Sequence, residues 1–151
     1  MRKIFTFFFF FFICSSVRAQ VDTAFWFAAP EISSFSNYDR PIHLRISAFQ
    51  QAATVTIAIP ANVAIIPQTI VVPANTTQSV NLVAWLTSLE CTPGNIVQNK
   101  GLKIVSDSKV AIYYEVNSGG PNPEIFSLKG RNALGNSFYI SSQYLLNNSS
   151  D

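Results

Sequence analysis

Histidine, cysteine and charge are all scarce in this chain of 151 residues, and each scarcity excludes a class of chemistry. There is one histidine, His43, and there are two cysteines, Cys14 and Cys91. A zinc centre takes about four nitrogen or sulfur ligands, more than these residues supply. A Ser-His-Asp site would have to use His43, and no Gly-x-Ser-x-Gly elbow accompanies it. His43 also falls on the polar face of a predicted strand, where an exposed or edge histidine is the plainer reading. Only six glycines occur, and the adjacent pair Gly119-Gly120 sits in a loop closed by Pro121 and Pro123 with no helix after it. That is not a phosphate-cradling loop. Paired carboxylates would have to come from Asp39, Glu115 or Glu124, and nothing in the sequence fixes their spacing. No catalytic, cofactor-binding or metal-ligating residue is assigned, and the chain reads as a non-enzyme.

Charged residues make up 12% of the sequence, about half the usual share. The formal charge of +2 belongs to the precursor. Arg2 and Lys3 open the chain, residues 4–13 hold seven phenylalanines, and Cys14, Ser15, Ser16, Val17, Arg18 and Ala19 follow. This positive, apolar and small-residue order is that of a secretory signal peptide, with cleavage expected after Ala19. Ten residues are too few for a membrane-spanning helix, which needs about 20. Cys14 raises a lipoprotein as the alternative, but Phe11-Phe12-Ile13 before it lacks the small residues of a lipid-attachment box. Removing the first 19 of 151 residues leaves 132. Three of the ten basic residues go with them while all eight acids stay, so the charge becomes −1. The seven remaining cations form no cluster, which excludes nucleic acid as a partner. Cys91 is then alone, so no disulfide forms within the mature chain, and a small buried hydrophobe is its plainer role. A chain of this size can fold on its core alone.

What the sequence does have is a period of two. Ile42, Leu44, Ile46 and Ala48 alternate with His43, Arg45 and Ser47. Ala53, Val55, Ile57 and Ile59 alternate with Thr54, Thr56 and Ala58. Val110, Ile112, Tyr114 and Val116 alternate with Ala111, Tyr113 and Glu115. Such alternation marks half-buried strands, and Val, Ile, Thr and Tyr suit a pleated surface. Strands are predicted at 23–28, 41–49, 53–59, 68–72, 77–82, 101–106, 109–116, 124–129 and 136–142. Turn signals separate them: Pro60-Ala61-Asn62, Pro73-Ala74-Asn75, the loop 117–123 and the turn 130–135. Asp107-Ser108 reads as a two-residue link, so 101–106 and 109–116 are expected to form a hairpin. Leu82, Trp85, Leu86 and Leu89 follow helical spacing and predict one short helix at 83–90, with Trp85 as a packing anchor. The expected fold is all-β, a β-sandwich-like arrangement of antiparallel sheets with about nine strands and one short helix.

The wet faces must be built from Asn, Gln, Ser and Thr, a composition common in extracellular adhesive modules. Tyr113 together with Phe27 or Trp26 is a candidate aromatic patch for a sugar or peptide, although aromatics at such positions are more often core. Asn75-Thr76-Thr77, Asn147-Asn148-Ser149 and Asn148-Ser149-Ser150 fit the N-glycosylation pattern, which matters only in a host that glycosylates.

A family resemblance enters on particular segments. Asp22-Thr23-Ala24-Phe25-Trp26-Phe27-Ala28-Ala29-Pro30-Glu31 resembles the start of the IgGFc-binding protein N-terminal domain, found in large surface proteins of the Bacteroidetes. The likeness continues at Asp39-Arg40-Pro41-Ile42-His43-Leu44-Arg45-Ile46, Pro73-Ala74-Asn75-Thr76-Thr77-Gln78 and Ala111-Ile112-Tyr113-Tyr114-Glu115-Val116. It is densest at Phe126-Ser127-Leu128-Lys129-Gly130-Arg131-Asn132-Ala133-Leu134-Gly135, with Phe138-Tyr139-Ile140 and Ser142-Gln143 after it. These segments span nearly all of residues 20–151. The resemblance implies a β-rich domain at the head of a long exported protein, with neighbouring domains of the same chain as partners. It maps no binding residues and does not transfer immunoglobulin binding. Domains of that family are about twice as long, so 20–151 is expected to be incomplete at its C-terminal end. A sheet left with an open edge is expected to make the isolated piece poorly soluble. The functional expectation is a non-enzymatic extracellular or cell-surface binding or adhesion module that takes a glycan or an extracellular protein. The alternative is a structural spacer without a ligand of its own.

Overall fold

The computed structural model describes residues 20–30, 40–93, 96–116 and 123–134. Among them the chain forms seven strands: β1 Val21–Phe27, β2 Ile42–Ala48, β3 Ala53–Ala58, β4 Gln68–Val72, β5 Thr77–Asn81, β6 Leu102–Val116 and β7 Glu124–Ser127. A 3-10 turn at Val83–Trp85 runs into the single α-helical turn α1, Leu86–Leu89. The predicted short helix is thus present, but its first turn is wound more tightly. Leu82, Trp85, Leu86 and Leu89 are all buried, as their spacing requires.

All strand pairs are antiparallel and belong to one sheet, curled nearly into a barrel. Seven strands stand where nine are predicted. The segment 136–142 lies outside the described residues. The other difference is a correction: 101–106 and 109–116 are not a hairpin but one strand, β6, 15 residues long. The physical reason is phase. In a two-residue hairpin, 106 would face 109, and the buried positions would change parity across the turn. Here Leu102, Ile104, Ser106, Val110, Ile112, Tyr114 and Val116 are buried in one phase, with half-buried Ser108 between them keeping it. The strand therefore continues through Asp107-Ser108 without a hairpin turn.

β6 is the spine of the sheet. One of its edges pairs first with β1, Phe27 opposite Leu102, and then with β7, Glu124 opposite Val116. Its other edge pairs first with β3, Ala58 opposite Lys103, and then with β2, Ile42 opposite Val116. β4 extends the sheet beyond β3, and β5 extends it beyond β2. The start of β6 thus carries one half-sheet and its end carries another, and the inner faces of both make the core. Ile42, Leu44, Ile46, Val55, Ile57, Phe25, Ile104 and Ile112 are all at or near zero exposure. Burying each such side chain stabilises the fold by about 1.5–3 kcal/mol.

Between the two halves, β6 loses its partners. β3 pairs up to Ser106 and β2 begins at Val110. On the opposite edge, β1 steps from Ala24 opposite Val105 to Asp22 opposite Val110. Asp107, Ser108 and Lys109 therefore have no cross-strand partner on either side. Two local side-chain bonds replace part of the ladder. The Thr54 N–H donates to Asp107 Oδ1 at 2.8 Å, and the Ser108 N–H donates to Ser106 Oγ at 3.4 Å. Strands that pass from one packed layer to another turn through such irregularities.

Candidate binding site at the bend of β6

The bend leaves an open depression of about 1090 Å³. Its walls come from four places distant in sequence: the start of β1, the β2–β3 turn, the β4–β5 turn and the unpaired stretch of β6. Gln20 and Thr23 contribute from the first, and Phe49, Gln50 and Gln51 from the second. Asn75 comes from the third, and Asp107, Ser108 and Lys109 from the fourth.

Backbone bonds hold the rim in place. The Asn75 N–H donates to the Phe49 carbonyl at 2.6 Å, and the Ala48 N–H donates to the Thr76 carbonyl at 3.0 Å, tying the two turns together. Asn75 sits in the left-handed region, with φ 58°, which asparagine tolerates better than most residues. The Thr76 hydroxyl closes that turn by donating to the Pro73 carbonyl at 2.8 Å. The Thr54 N–H fixes the Asp107 carboxyl and, by hydrogen bonding to the charged form, holds it below the usual aspartate range. Phe49 is exposed on this rim, with 44% of its surface in solvent. A turn whose backbone groups are bonded holds the main chain that carries this ring.

The aromatic patch expected from Tyr113 with Phe27 or Trp26 is not assembled. Phe27 points inward and packs on Tyr114 at 4.8 Å and Phe126 at 5.8 Å between ring centroids. Trp26 lies on the outer face of the first half-sheet, where Lys103 Nζ stands 5.1 Å from its ring centroid. Tyr113 is on β6 in the other half, opposite Arg45 and Ser127. The carboxylates weighed as acid or base pairs do not converge either. Asp39 lies outside the described residues. Glu115 accepts from Arg45 Nε at 2.5 Å, and register places it on the opposite sheet face from Glu124, which pairs with Val116.

His43 stands between Asn81 and Glu115 across neighbouring strands, and its buried Nδ1 has no hydrogen-bond partner among the described residues. Cys91 is a half-buried free thiol, and its N–H donates to the Ala29 carbonyl at 2.8 Å. Asn75 is the described sequon asparagine; Asn147 and Asn148 lie outside the described residues, as does the Gly119-Gly120 loop. Among the described residues no group of three His, Cys, Asp or Glu is placed to hold a metal ion, and no helix is long and apolar enough to cross a membrane.

The residues of the depression escape a reading by motif because four separate segments of the chain supply them. The one available signal is the unbroken phase of β6, which turns Asp107-Ser108 from a hairpin tip into an exposed, unpaired strand segment. Comparison of the chain with protein-family models, with curated proteins and with solved structures finds no match.

Proposed function

We propose that this chain is a non-enzymatic binding module, exported to the cell surface or beyond as part of a larger protein, with its ligand site at the bend of β6. The observation that carries the reading is the open depression, in which an exposed Phe49 stands among carboxamides on a rim tied by backbone hydrogen bonds. Concave sites with a few fixed polar groups are where ligands bind, and a rim ordered in advance loses less freedom on binding. The two half-sheets sharing β6 serve as the sandwich-like scaffold that presents it.

Three further observations support the reading. The signal-peptide layout of residues 1–19 supports export. The sparse charge supports a surface that works through neutral polar groups. The segments resembling the IgGFc-binding N-terminal domain support a place at the head of a long surface protein. Two of those segments, the one around Asp22 and the one around Arg131, meet in a single ion pair at 2.6 Å, so they act as one structural unit.

The test uses the chain from Gln20 with its following domains present. It is screened against polysaccharides and host glycoproteins beside a Phe49→Ala variant that melts at the same temperature. Binding that Phe49→Ala weakens supports the module. A panel with no binding above background removes it and leaves the spacer.

A further inference from the structure

Resting on that reading of the site, we infer that the ligand is a neutral, polyhydroxylated chain, that is, an uncharged oligo- or polysaccharide bound along its length. The lining decides the class. Its charged residues are Asp107 and Lys109, one of each sign, so the depression has no net charge to attract an acidic or basic peptide. Gln20, Gln50, Gln51 and Asn75 each offer a carbonyl oxygen and an amide N–H₂. That pairing of acceptor and donor on one small group matches adjacent hydroxyls, which also donate and accept.

Asp107 adds an anionic acceptor whose direction is set by Thr54. Bonds to an ionised acceptor are about twice as strong as neutral ones. Phe49 supplies the flat apolar face on which the C–H side of a sugar ring stacks, and amphipathic ligands of this kind need both surfaces. An apolar peptide fits poorly, because it would bury the amides without partners.

Shape narrows the class further. The depression is open and broad, so it does not enclose a single sugar. Asp107, Ser108 and Lys109 line the depression, and their stretch of β6 lies unpaired between β3 and β2 on one edge and beside the β1 step on the other. Three residues are too short a gap to admit an added β-strand, which pairs along a free edge. They suffice for hydroxyl groups, which make single, separately placed bonds.

The experiment titrates the chain from Gln20 with hexasaccharides of glucose, xylose and mannose, and with a heparin hexasaccharide as the charged comparison. The same titrations are run on Phe49→Ala and on the double variant Gln50→Ala/Gln51→Ala, each first shown to melt like the parent. The expected result is binding to at least one neutral hexasaccharide, weakened about tenfold by either variant. That binding should change little as salt rises from ~0.05 to ~0.5 M, because no ion pair is screened. Preference for the heparin fragment with strong salt dependence overturns the ligand class. So does Phe49-dependent binding of a glycoprotein that survives removal of its glycans, although the site itself then stands. If neither variant changes binding to any probe, the ligand class and the site both fall.

Discussion

Phe27 and Tyr114 meet ring to ring at 4.8 Å, although Phe27 of β1 is paired at the start of β6 and Tyr114 lies near its end. Phe27 is paired with Leu102, 12 residues before Tyr114 along the same strand. At ~3.3 Å per residue a straight strand would set those positions about 40 Å apart. Two side chains cannot span that gap, so β6 must fold back and bring its halves face to face. The unpaired stretch Asp107–Lys109 is where the pairing allows it. The contact that closes the core and the bend that opens the candidate site are thus two results of one strand changing direction.

The closing contact predicts a contrast between neighbours. Phe27→Ala removes the ring that packs on both Tyr114 and Phe126 and should destabilise the fold by about 2–4 kcal/mol. Trp26→Ala, one residue away on the outer face with 51% exposure, should cost under about 1 kcal/mol. Urea unfolding midpoints of both variants check this. Equal losses would mean that the sheet does not close through Phe27.

Asp22 and Arg131 predict a response to acid. Asp22 is buried, and its carboxylate takes the Arg131 backbone N–H at 2.8 Å, Nε at 2.9 Å and Nη2 at 2.6 Å. The hydrogen bond from the Arg131 side chain is the main reason its pKa lies well below the ordinary 3.8. A depressed folded-state pKa means stability that is whole above about pH 4 and drains away as pH falls towards the folded value. The parent should therefore lose melting temperature steeply below about pH 4. Asp22→Asn should start lower, by about 2 kcal/mol at neutral pH, and show a flatter acid limb. Parallel acid limbs for the two proteins would remove Asp22 as the titrating group.

Gly130 makes that clasp possible. It sits at φ +60°, and an added Cβ would stand 2.5 Å from Asp22 Cβ and 2.8 Å from its Oδ2. Gly130→Ala combines left-handed strain with a clash against the buried end of the ion pair. It should cost at least about 1–3 kcal/mol and should be less than additive with Asp22→Gly, which removes both the Cβ and the carboxylate it would strike. A double-mutant cycle on melting free energies reads the coupling. Full additivity would show that the two residues act separately.

The β-class and most strand positions follow from alternation alone: β2, β3, β4 and β5 fall within a residue or so of 41–49, 53–59, 68–72 and 77–82. At 107–108 Asp-Ser turn chemistry and the phase of the buried positions point to different structures, and phase wins. Aspartate favours turns because its side chain bonds nearby backbone, and here it does bond backbone, but that of Thr54 on the next strand. The curl into a near-barrel and the candidate site were not legible. Both depend on which strands pair with which half of β6, and alternation carries no information about that choice. The Tyr113, Trp26 and Phe27 patch failed for a related reason. Neighbours in sequence such as Trp26 and Phe27 face opposite sides, and Tyr113 and Trp26 lie on different halves.

The last prediction concerns solubility. Val63 and Ile66 are 97% and 82% exposed in the β3–β4 connection, and Ile96 and Val97 are 61% and 100% exposed ahead of β6. The pairing of Ala58 with Lys103 puts both connections at the same end of the first half-sheet, far from the bend. Four large aliphatic side chains in solvent at one end drive association without adding to the core, and this feature, more than an open sheet edge, is expected to limit solubility. Replacing all four with threonine or serine should raise the soluble yield and the monomer fraction by size-exclusion chromatography. The melting temperature should move little, because surface substitutions of this kind change stability by about 0.5 kcal/mol or less each. Binding at the bend should be untouched, since none of the four lines it. A variant that stays aggregated with all four replaced would return the cause to unpaired strand edges, and Lys substitutions on the outward positions of β5, such as Ser79, would then be the effective remedy.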